Sequence, residues 1–157
     1  MSTIDKFRGT GVALVTPFSK GGDIDFDSLG KVIDHVINGG VNYVVSLGTT
    51  GETPVLSSDE KESVVRFTVN AVNKRVPVVV GIGGNSTQEV IHTIGKFDFK
   101  GIDAVLSVSP YYNKPSQAGI YEHYKAVAES CPLPVIVYNV PGIYSVTLTV
   151  SNSKGNN

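Results

Sequence analysis

Five short apolar runs punctuate this chain, separated by four stretches of helical periodicity. The runs are Gly11–Val15 (GVALV), Tyr43–Leu47 (YVVSL), Pro77–Ile82 (PVVVGI), Asp103–Val108 (DAVLSV) and Pro134–Tyr138 (PVIVY). Each is continuous rather than alternating, the pattern of a strand covered on both faces. Between the first two, Leu29, Val32, Ile33, Val36 and Ile37 recur at helical spacing, with Asp25 placed to cap the helix and Gly39-Gly40 to end it. Ser57 with Glu60, and Ser86 with Glu89, have capping-box spacing ahead of two further helices. Ser116 opens a fourth helix, which carries Ile120, Tyr124 and Val127 inward.

This alternation predicts a parallel α/β protein. Two architectures share it. An open, flavodoxin-like sheet suits 157 residues. A (β/α)8 barrel needs about 250 residues, so this sequence would hold only its first five strands. Length favours the open sheet, and the chemistry at the strand ends has to arbitrate. Beyond Pro141-Gly142 the pattern changes: Tyr144, Val146, Leu148 and Val150 alternate strictly with Ser145, Thr147, Thr149 and Ser151. That alternation suits a half-buried antiparallel strand, not a barrel stave.

Composition narrows the function classes. With 41% hydrophobic residues, 17% charged residues and a net charge of −1, nothing favours nucleic acid or a membrane surface as partner. No apolar run approaches membrane-spanning length, and the opening MSTIDKFRGTG lacks the apolar segment of a secretion signal, so a cytoplasmic globular protein is expected. The single cysteine, Cys131, excludes an internal disulfide and reads as structural. His35, His92 and His123 fall on different helices without ligand spacing, so no metal is expected.

Function in either architecture collects at the carboxyl ends of the strands. After the second run comes GTTGE, Gly48 to Glu52. Its hydroxyls and amides suit a small carboxylate, and equally suit a turn whose threonines bond locally. GIGGNST after the third run leads into a helix N-terminus and could cradle a phosphate, but its spacing is not GxGxxG, which favours a tight turn. SPYYNKPS after the fourth sets Tyr111 beside Tyr112, two phenols able to relay protons or simply to pack. Tyr138 ends the fifth run, as a proton-transfer group or a core tyrosine. Four consecutive polar strand ends form a site more readily than four accidents.

GTTGE, SPYYNKPSQAG and VIVYNVP, in this order and spacing and preceded by GTGVALVTPF, resemble the dihydrodipicolinate synthase (4-hydroxy-tetrahydrodipicolinate synthase) family. The likeness runs from about Phe7 to Pro141. Sister aldolases such as N-acetylneuraminate lyase typically carry serine at the position of Thr49 and lack the YYNKPS form. The resemblance overrules length: it implies a partial (β/α)8 barrel over residues 1–141. It implies condensation of pyruvate with L-aspartate 4-semialdehyde in lysine biosynthesis, through a Schiff base on a lysine and without a cofactor. Carried onto this sequence, Thr50 would hold the pyruvate carboxylate. Tyr138 would be the general acid/base, and Thr49 and Tyr112 would complete a proton relay. The residue matching Tyr112 reaches a neighbouring subunit's site in family members, which implies a homo-oligomer, a dimer or tetramer. Asn85, Glu89 and Tyr111 match positions that bind feedback lysine in some members, although Pro54 and Ser58 depart from that pocket.

The family's Schiff-base lysine lies on the sixth strand, and no lysine here matches it. Lys31, Lys61, Lys74, Lys96 and Lys125 fall in or at the ends of helices, Lys114 in a loop, and Lys154 in the polar segment NSKGNN. A Schiff-base lysine needs a pKa lowered by burial, which an exposed lysine lacks. Ile143 stands where the family places an arginine that helps bind the second substrate. Residues 142–157 resemble instead the closing strand of a PKD-type repeat, a divergent tail. The resulting expectation is a chain that is inactive alone. The alternatives are a small-carboxylate binding fragment and a non-functional fusion product.

Overall fold

The computed structural model describes residues 5–138. The elements run β1 (Gly11–Ala13), α1 (Phe26–Asn38), β2 (Tyr43–Ser46), α2 (Ser58–Val72), β3 (Val78–Gly81), α3 (Thr87–Lys96), β4 (Ala104–Val108), α4 (Gln117–Ser130) and β5 (Val135–Tyr138). All five predicted strands form, each a residue or two shorter than its apolar run. The segment 142–157 read as a foreign strand lies outside the described residues.

Capping chemistry fixes the helix starts. Asp25 accepts the Ser28 amide at 2.9 Å and the Ser28 hydroxyl at 2.7 Å. These bonds, the hydroxyl's first, hold its carboxyl below the ordinary carboxylate value. Ser57 and Glu60 form the complete reciprocal box at α2. Ser86 makes only the forward half, accepting the Glu89 amide at 3.4 Å. Ser116 caps α4 through the Gly119 amide at 3.2 Å.

The strands pair in parallel in the order β1-β2-β3-β4-β5. This sequential order and the placement of the helices decide between the two architectures. Leu29 and Ile33 of α1, Val64, Val65 and Val72 of α2, Val90 and Ile94 of α3, and Val127 of α4 share one core with Val44, Val78, Val80 and Val105. All four helices therefore cover the same face of the sheet. A doubly wound sheet would place helices on both faces and reverse its strand order. The fold is half of a (β/α)8 barrel, and the length-based preference for an open doubly wound sheet gives way.

The other, concave face has its own small core. Registered across the strands, it carries Gly11 and Ala13, Tyr43 and Val45, Val79 and Gly81, Ala104, Leu106 and Val108, then Ile136 and Tyr138. Val45, Val79 and Ala104 are buried there beside Phe7, Tyr43, Leu106 and Ile136. Phe7 meets the Tyr43 ring edge-on, at 5.8 Å between centroids.

Candidate active site

Parallel strands deliver their carboxyl ends to a single rim, and the candidate side chains lie along it. Past β2 the backbone turns sharply: Leu47 adopts φ 57 and Glu52 φ 53, both left-handed, around a 3-10 turn over Thr49–Gly51. Two side chains brace that turn. Thr16 donates its hydroxyl to the Gly51 carbonyl at 2.7 Å, and Thr53 donates to the Gly48 carbonyl at 3.0 Å. The local bonds foreseen for the threonines of GTTGE are not made by Thr49 or Thr50; Thr53, just after the motif, and Thr16, from the segment after β1, brace the turn instead. Thr49 and Thr50 are exposed on the rim, with hydroxyls available to an anion.

Gly81, which ends β3, permits this arrangement. A Cβ added there would sit 2.2 Å from the Leu47 carbonyl oxygen and 3.2 Å from the Gly48 amide nitrogen. The β2 turn rests directly on glycine backbone.

Beyond β4, Tyr111 and Tyr112 project outward, 63% and 84% exposed. Their loop is tied to the one after β3 through Asn85, whose Oδ1 accepts the amides of Tyr111 at 2.9 Å and Tyr112 at 2.8 Å. The Asn113 side chain donates back to the Asn85 carbonyl at 3.1 Å. Asn85, Tyr111 and Tyr112 are therefore brought together, but through Tyr backbone rather than Tyr rings. With Oδ1 accepting twice, only the Nδ2 donors of Asn85 remain for a ligand. Glu89 sits exposed in the first turn of α3.

Tyr138 ends β5 on the concave face, 46% exposed, registered against Val108. Its carbonyl accepts the Ser109 amide at 3.4 Å and lies 3.5 Å from the Tyr124 hydroxyl. Tyr124 is buried in α4 and reaches the same rim from behind. Its hydroxyl donates to the Ser107 carbonyl at 3.1 Å and stands 2.9 Å from the Ser109 hydroxyl. Its hydrogen bonds make this phenol a tie between α4 and the end of β4; burial raises its pKa, partly offset by the Ser109 bond. The helical spacing placed Tyr124 inward but gave no sign of where its hydroxyl would go.

Thr49-Thr50 follow β2 and Tyr138 ends β5, strands three spacings apart, or about 14 Å along the sheet. Thr49 and Thr50 offer hydroxyls, and Tyr138 a phenol, along the same rim of strand ends. Among the described residues no lysine lies in a strand and none is buried, so no amine there has the setting of a Schiff-base nucleophile. Lys154 and Ile143 lie outside the described residues. No group of three His, Cys, Asp or Glu side chains among the described residues is placed to hold a metal ion.

A family profile, the dihydrodipicolinate synthetase family, matches residues 6–154. The chain belongs to that family. A 4-hydroxy-tetrahydrodipicolinate synthase of Flavobacterium psychrophilum is 57% identical over 136 residues, covering 87% of this chain and 46% of the relative. One from Parabacteroides distasonis is 48% identical over 146 residues, covering 93% of this chain and 49% of the relative. The crystal structure of the Thermotoga maritima dihydrodipicolinate synthase superposes with a TM-score of 0.82 at 43% identity, covering 87% of this chain and 46% of the other. The Acinetobacter baumannii enzyme, solved as a chloride-inhibited form complexed with pyruvate, gives 0.80 at 47% identity, covering 85% of this chain and 46% of the other. The chain spans about half the length of the curated relatives and solved structures it matches. The family match extends to residue 154, through most of the segment whose alternation suggested a PKD-type strand.

Proposed function

We propose that this chain carries the carboxylate-binding and proton-relay part of a 4-hydroxy-tetrahydrodipicolinate synthase site. That site condenses pyruvate with L-aspartate 4-semialdehyde, in lysine biosynthesis, through a Schiff base. The observation that carries the reading is the rim itself: exposed Thr49 and Thr50 on a braced turn after β2 and Tyr138 at the end of β5, on the same edge of a parallel sheet, in a chain of this family.

The family likeness suggests the parts, and the residue chemistry is compatible with them. Thr50, with the amides of its turn, hydrogen-bonds the pyruvate carboxylate, as hydroxyls and N–H groups do for small anions. Tyr138 gives and takes the protons of Schiff-base formation, and Thr49 and Tyr112 pass them on. No lysine among these 157 residues matches the family's Schiff-base lysine, so these residues by themselves are expected to bind without turning over. Tyr112, highly exposed, serves the site of a second subunit, which makes a homo-oligomer the working form. The protein acts in the cytoplasm without a cofactor. Lysine feedback through Nδ2 of Asn85, Glu89 and Tyr111 is the regulatory counterpart of this reading, with Pro54 and Ser58 altering the pocket.

Borohydride trapping tests this assignment. Incubated with pyruvate and borohydride, the chain is expected to keep its unmodified intact mass, while a full-length relative treated in parallel gains the reduced pyruvate adduct. An adduct on this chain would show that one of its own lysines, Lys154 included, supplies the amine.

A further inference from the structure

The two tyrosines after β4 are held by a side chain from the neighbouring loop, not by their own packing. Their rings are mostly exposed, and neither phenol has a hydrogen-bond partner among the described residues. Ring packing therefore cannot set where Tyr112 points. What crosses to this loop is Asn85, half-buried at the end of the β3–α3 connection and 26 to 28 residues away in sequence. Its amide orientation follows from chemistry: two N–H donors converge on one atom, and only the oxygen can accept them. Both lone pairs of Oδ1 are then used by consecutive amides, which holds the two successive peptide planes on either side of Tyr111. The return bond from Asn113 to the Asn85 carbonyl closes the clamp, and Lys114, at φ 45, turns the chain away immediately after it.

We infer that Asn85 is the positioning residue for the Tyr112 relay, acting through Oδ1 on the backbone amides of Tyr111 and Tyr112. This deepens the proton-relay assignment and rests on it for its functional meaning, but the clamp is measurable without substrate. The essential property is a double acceptor at the correct reach. Asn85→Asp keeps it, with carboxylate oxygens in place of the amide oxygen, and Asn85→Ala removes it.

Two measurements on the whole chain, with no substrate added, decide the matter. Amide–solvent exchange is read by NMR for the wild type, Asn85→Ala and Asn85→Asp, and a 3-fluorotyrosine signal reports the setting of Tyr112. In Asn85→Ala, exchange at Tyr111 and Tyr112 should rise roughly tenfold, as loss of these bonds implies, and the fluorine signal should move toward that of a free tyrosine. Exchange at Val79 and Val105 should stay unchanged. Asn85→Asp should restore both the slow exchange and the fluorine position. Unchanged exchange at Tyr111 and Tyr112 in Asn85→Ala would overturn the inference. So would an aspartate variant that behaves like alanine, or a rise spread through β3 and β4, which would make Asn85 an ordinary fold-stabilising residue. Because pyruvate takes no part, failure of the clamp and failure of the proposed chemistry remain separate results.

Discussion

Gly81 shows how much one missing Cβ decides. Its place at the end of an apolar run made it look like ordinary turn glycine, and only the fold reveals the Leu47 carbonyl pressed against it. Gly81→Ala must displace the β2 turn, and overpacking of this kind costs about 1–3 kcal/mol. The expected outcome is a lowered melting temperature with backbone NMR shifts centred on Leu47 to Thr50; an undisturbed turn would refute it. His123 supplies a second residue-scale prediction. Its Nδ1 lies 2.8 Å from the Thr87 hydroxyl, and its Nε2 is buried with no partner among the described residues. Burial pushes its pKa below the ordinary value of 6.5. The unfolded chain thus takes up a proton near that value while the folded chain resists it, so stability falls as pH drops below it and is unaffected above it. Melting temperatures measured from about pH 7.5 down to about pH 5.5 should fall, and the fall should be shallower in His123→Gln. Neither this histidine's environment nor the Tyr124 and Asn85 ties could be read from sequence, because each depends on groups brought together from separate loops and helices.

The elements themselves were far more legible. Asp25, Ser57, Ser86 and Ser116 each cap the helix expected of them, since capping is local chemistry between residues three apart. The incomplete box at Ser86 marks the limit: spacing shows that Glu89 can reach back, not that it does. Strand centres matched the apolar runs, while the ends retreated where flanking residues turn into loops, as at Val15 and Pro77. The helical stripe of α1 makes a quantitative claim. Ile33 is 0% exposed and sits in the main core between helices and sheet. Ile33→Ala should cost about 2–5 kcal/mol, measured by urea unfolding; a loss well under 1 kcal/mol would mean that α1 does not pack as described.

At the scale of the whole molecule, periodicity alone left two architectures open, and length pointed to the wrong one. Motifs at the strand ends resolved the choice, because a rim of matched functional groups specifies a family more tightly than chain length does. Strand order and one-sided helices then gave that choice its physical form. The same form has a consequence for solution behaviour. Within the described residues β1 and β5 each pair on one side only, and Val137 on β5 is 42% exposed. Unpaired strand edges of this sort promote edge-to-edge association, which a lysine on the edge suppresses. Val137→Lys should therefore reduce concentration-dependent self-association in light scattering, and an unchanged profile would argue against edge pairing as its cause.

The proposed function has the rim at Thr49, Thr50 and Tyr138 receive a small keto acid. A pyruvate titration followed by backbone NMR tests it most directly, on the chain and on Thr50→Val. The account predicts saturable shifts concentrated at residues 48–51 and at Tyr138, with affinity lowered roughly tenfold or more in the variant, as loss of a hydrogen bond to a charged group implies. Shifts that never saturate, that fall elsewhere on the sheet, or that persist unaltered in Thr50→Val would contradict it.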